Sequence, residues 1–173
     1  MPLSYFDSIG KIWRKAEREH YRAIHARSAV HQADHFFNFS VTAHSLREYY
    51  FAHQGTPPAS QTAYHDLWNQ EPVLVAVREI ANRSKHFTLR RPARTRGLRA
   101  QQADFVDVYL SGDRRVFLAP REAPSISICV DDGSRFELWE FTSAALRIWR
   151  HFLRSKGIRV RRQTVGEFLG GDA

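Results

Sequence analysis

The sequence predicts an α+β domain: an N-terminal helical bundle followed by a small antiparallel β-sheet and a C-terminal helix. Three observations predict it. As far as Leu89, apolar residues recur every three or four positions, the period of a helix with one buried face. In Phe105–Leu110 and again in Ile126–Val130 the period drops to two, which suits a strand. From Thr142 to Lys156 the helical period returns. With 173 residues, 43% of them hydrophobic, the chain can bury the core of one ordinary domain. It divides into a bundle over 1–89, a basic loop over 90–102, β hairpins over 103–141, a helix over 142–157 and a tail over 158–173.

The first helix is expected from Ser8 to about Arg27, with Ile9, Trp13, Ala16 and Ile24 apolar. Lys15, Glu17, Arg18, Glu19 and Arg22 read as its exposed face of mixed charge. A second helix runs from Ser28, a candidate N-cap, to His53. Phe36, Phe39, Ala43, Leu46 and Tyr50 give it a broad apolar stripe, so it belongs at the bundle centre. Gly55, Pro57 and Pro58 end it. A short helix over Gln61–Asn69 carries Trp68, and Glu71–Leu89 forms the next.

Arg90–Gln102 has no apolar face at either period and reads as an exposed loop rich in arginine. Phe105–Leu110 should pair with Val116–Leu118 across Ser111-Gly112-Asp113. Asp131-Asp132-Gly133 should turn the strand ending at Val130 into one holding Phe136, Leu138 and Trp139. Gly157 is the expected stop of the last helix.

Charge narrows the function classes. Lys and Arg number 26 against 18 Asp and Glu, a net charge of +8, and all but four of the cations are arginine. The planar guanidinium fork suits phosphate and carboxylate, which points to nucleic acid or an acidic protein partner. A genome rich in arginine codons would raise the same count with no partner involved. The single cysteine, Cys129, excludes a disulfide framework within the chain and a zinc site built of cysteines. No run approaches the ~20 apolar residues of a membrane helix, and the N-terminus lacks a secretory pattern, so a cytoplasmic protein is expected.

The stretch from Glu71 to Leu89 carries the chemistry. Val73, Leu74, Val77, Ile80 and Ala81 form its apolar face, while Arg78, Asn82 and His86 fall four residues apart on one polar face. Arg83 and Lys85 flank them. Histidine can move a proton near neutral pH, and arginine can hold the charge of a phosphorane-like transition state. These are the groups that attack by a ribose 2′-hydroxyl requires. His86 and Lys85 would equally suit the negative end of a helix dipole with no further role.

The segment Ala81-Asn82-Arg83-Ser84-Lys85-His86, following a long aromatic-rich helix, resembles the signature of the HEPN family of small helical bundles. That family occurs in bacterial toxin–antitoxin and antiviral defence systems. The resemblance covers roughly residues 8–89. It implies metal-independent RNA cleavage at a homodimer interface, with no cofactor, His86 as acid/base and Asn82 beside it. The chain departs from the family at Ala81, where the family has its arginine, so Arg83 or Arg78 would have to supply that charge. The departure also suits a catalytically silent module that docks on a partner protein.

Lys85, Arg90, Arg91, Arg94, Arg96 and Arg99 are the candidate nucleic-acid contacts, read as phosphate binders without sequence preference. Asp34, Asn38 and His44, on the central helix, are further candidates facing the motif. His31 and His35 lie four apart, but no third ligand completes a metal pattern, and they read as solvated helix residues.

Overall fold

The computed structural model describes residues 6–83, 97–110, 116–130, 133–161 and 163, the stretch 97–124 by its backbone. Five helices and three strands follow in the order α1 (Ile9–His25), α2 (Ala29–Gln54), α3 (Pro58–Asn69), α4 (Pro72–Arg83), β1 (Gly97–Leu110), β2 (Val116–Cys129), β3 (Arg135–Glu137), α5 (Leu138–Ser155). The α+β class expected from the sequence is the one observed.

Local chemistry sets the helix ends. Ser28 caps α2, its hydroxyl accepting the His31 N–H at 3.2 Å. Gly55, at φ 60°, lets the chain turn out of α2, and the Thr56 N–H then closes on the Phe51 carbonyl at 2.9 Å. Pro58 and Pro72 each open a helix, where a missing N–H costs nothing. Pro58 starts α3 three residues before the expected Gln61.

α2 is the central helix. It packs most extensively on α1 and α4 and also meets α5 and β2. Phe39, Ala43 and Leu46 on it are fully buried, and each large apolar side chain so buried contributes roughly 1.5–3 kcal/mol. Tyr50 of α2, Tyr64 and Trp68 of α3, and Trp149 and Phe152 of α5 form an aromatic cluster. The Trp68 ring stands 5.2 Å from both Trp149 and Phe152.

Glu17 and Glu19 correct the picture of α1. Both are buried rather than exposed, at 3% and 5%. Glu17 accepts from Arg150 of α5 at 3.2 Å and from the Gln163 N–H at 3.1 Å, and Glu19 holds His35 of α2 at 2.9 Å and Arg22 at 3.0 Å. Apart from Arg22, their partners come from other segments, which helical periodicity does not register.

The sheet has the order β1-β2-β3, antiparallel throughout. Three expectations need correction. Residues 97–102, read as loop, belong to β1, where Gly97 faces Cys129 and Gln102 faces Pro124. β2 is one strand of 14 residues, not two short ones. Its Pro120 and Pro124 pair with β1 where β3 does not reach, so one side of β2 is free of a β3 partner there. Leu138 and Trp139, read as strand, begin α5 instead. Glu137 accepts from the backbone of the first turn while Glu140 reaches back to the Glu137 N–H at 3.0 Å. No helix among the described residues is long and apolar enough to cross a membrane.

Candidate anion-binding cleft

From Val73 to Ala81 every residue of α4 is buried except Arg78. A helix buried on nearly all sides must sit within the bundle, and Arg78 and Asn82, both half-buried and one turn apart, form the stripe by which it reaches solvent. Ala81, where the HEPN arginine would stand, is fully buried.

The Arg78 guanidinium leaves α4 toward a narrow cleft between helices. It donates to Asn69 Oδ1 at the last residue of α3. α2 supplies Ala43, His44 and Arg47 to the same cleft, and Leu74 and Val77 of α4 form its apolar wall. Trp68 and Trp149, from the aromatic cluster, close its floor. Enclosed space amounts to about 10 Å³, enough for one water-sized particle.

Arg47 donates from Nε to the His44 carbonyl at 3.4 Å, and its Nη2 lies against the ring nitrogens of His44. A guanidinium only donates, so the ring nitrogen it meets accepts. Burial, and then the nearby Arg78 charge, push the Arg47 guanidinium down to about 10, with Glu48 partly opposing. It therefore stays a cation at neutral pH. His65 of α3 is near enough to feel both charges. Burial above all, and then the Arg47 charge, lower its pKa; Asp66 opposes this and Arg78 adds to it. Its Nδ1 is buried without a hydrogen-bond partner among the described residues.

Two guanidiniums thus share one cleft, each bonded to a neutral group. None of the described ion pairs joins a carboxylate to Arg47 or Arg78. Half-buried like charges repel and lose hydration, and an anion between them relieves both costs. Among the described residues no group of three or more His, Cys, Asp or Glu could hold a metal ion.

Of the residues singled out in the sequence, the structure brings Arg78 and His44 to the cleft and sets Asn82 one turn beyond Arg78. Arg83 ends the described part of α4, and Lys85, His86, Arg90, Arg91, Arg94 and Arg96 lie outside the described residues. Arg99 belongs to β1, opposite Ser127, rather than to a loop. Asp34 and Asn38 are exposed on α2 and do not line the cleft. Sequence reasoning missed Arg47, Asn69 and His65. The available signal for Arg47 was a cation three residues after His44, on a helix otherwise dominated by aromatics.

A scan against family models, a search of curated proteins and a search of solved structures each returned no match.

Proposed function

We propose that this chain is a cytoplasmic nucleic-acid-binding protein that grips RNA, or another nucleic acid, by its phosphate backbone at the half-buried polar stripe of α4. One observation carries the reading: Arg78 meets a second guanidinium, Arg47, in a cleft that no carboxylate lines among the described residues. The net charge of +8 supports it, since a basic surface draws a polyanion at long range. On this reading contacts go to phosphate oxygens and leave base sequence unread.

The HEPN resemblance extends the proposal to metal-independent endoribonuclease chemistry in a defence or toxin–antitoxin setting. His86 would move the proton, Arg78 would hold the phosphate charge, and two chains would share the site. The buried Ala81 favours a second reading, a module that docks on a partner protein without cleaving: an arginine there would point into the core, not at a substrate.

Binding of labelled single-stranded RNA between about 50 and about 200 mM salt tests the proposal. Affinity is expected to fall steeply with salt. Arg78→Ala should weaken binding alike for unrelated sequences and reduce the slope by about one. Absence of RNA binding at the lowest salt would reject it. Loss of RNA cleavage in EDTA on His86→Ala would establish the nuclease reading, whereas co-purification of a partner with intact RNA would favour docking.

A further inference from the structure

We infer that Arg47 and Arg78, with His44 and Asn69 beside them, form a site for a single phosphate oxyanion, one of whose oxygens enters the cleft while the rest stays at the mouth. The inference rests on the nucleic-acid reading only for the source of that phosphate, since the site itself would take the free ion.

Size comes first. The inner space of the cleft, about 10 Å³, admits one oxygen atom but no base or sugar, and the cleft opens to solvent at its mouth. Leu74, Val77, Trp68 and Trp149 give it an apolar lining beside the two charges, which weakens the screening of an anion that enters. The donors come next. Arg78 approaches from α4 and Arg47 from α2, so they meet the entering atom from two helices. Arg78 is oriented by Asn69 Oδ1 and Arg47 by the carbonyl and ring of His44. Each fork spends one or two N–H groups on these neutral partners and keeps others for a ligand. A planar carboxylate offers two oxygens; a phosphate with one oxygen inside still presents others to both forks at the mouth.

Position also matters. Asn82 lies one turn along α4 from Arg78, so a phosphate seated here would lie near the other half-buried polar residue of that stripe. Arg47 and His44 are thereby assigned a binding role that no motif in the chain announces.

Titrating the intact protein with sodium phosphate against sodium chloride of equal ionic strength, by calorimetry and by thermal melting, tests the site. Wild type should bind about one orthophosphate per chain and melt at a higher temperature in phosphate. Arg47→Met and Arg78→Gln should each weaken that affinity at least tenfold, and Arg78→Gln, at the half-buried rim, keeps the test open should Arg47→Met not fold. Equal phosphate affinity in wild type and Arg78→Gln would mean an adventitious ion only and would overturn the inference, as would the absence of phosphate binding. RNA binding without phosphate binding would reject this site and leave the nucleic-acid reading standing. Phosphate binding lost in Arg78→Gln, with no RNA binding in wild type, would do the reverse. RNA with a 5′-phosphate and the same RNA with a 5′-hydroxyl separate the sources: equal affinity marks an internal diester and a preference marks a terminal monoester, either one through Arg78.

Discussion

Ala81 and Arg78 are three residues apart on α4, yet one is sealed in the core and the other reaches solvent. Aligning the HEPN motif on Asn82 puts the family's arginine at Ala81, where a long cation would displace packed side chains and lose its hydration. Ala81→Arg is therefore expected to destabilise the fold by roughly 3 kcal/mol or more, seen as a lower urea midpoint, and not to create RNase activity. A stable Ala81→Arg protein with enhanced cleavage would show that the α4 register described here is wrong. On the same helix Arg78, one turn before Asn82, reaches the surface that Ala81 does not.

Among the elements, α1 and α5 are tied by buried polar contacts as well as by apolar packing. Glu17 of α1 accepts from Arg150 of α5 and from the Gln163 N–H, and His20 meets the Thr142 hydroxyl at 2.7 Å. Burial raises the Glu17 carboxyl above its ordinary value near 4.5, although the Gln163 N–H and Arg150 pull it down. A carboxyl whose pKa is raised by folding makes the fold bind its proton more tightly, so wild type loses stability as pH rises above about 4.5. Glu17→Gln should then be the more stable protein at pH 7, the gap closing as pH falls toward 4.5. Melting curves across that range check it, and a gap that widens toward acid would contradict it.

The same comparison of elements shows what a linear reading can recover. α1, α2 and the Ser28 and Gly55 ends of α2 were legible because caps, breakers and helical period are local signals. The start of β1 was not, because GLRAQQ becomes a strand only by pairing with residues far along the chain, from Gly97 with Cys129 to Gln102 with Pro124. Proline at 120 and 124 likewise disguised β2, and Leu138-Trp139 suited a strand or a helix start equally until the Glu137–Glu140 capping box decided it. In the cleft, Arg78 and His44 were legible as polar residues on apolar helices. Arg47 and Asn69 were not, because only the packing of α2, α3 and α4 brings them together.

For the molecule as a whole, long-range attraction and local capture make different demands. A net charge of +8 draws any polyanion, whichever arginines carry it, and that attraction fades over a Debye length of about 10 Å at 0.1 M salt. Local capture depends on where Arg47 and Arg78 stand. Replacing two cations anywhere lowers the net charge equally, so a matched pair of double variants separates the two effects. The measurement is RNA affinity at about 0.15 M salt for Arg47→Met/Arg78→Met beside Arg14→Met/Arg27→Met, which removes two exposed arginines away from the cleft. A loss of at least tenfold in the first double variant, with a change of less than about threefold in the second, is the predicted result. Equal losses in the two, or an unchanged affinity in the first, would contradict the claim that the α2–α3–α4 cleft is where this protein holds a phosphate.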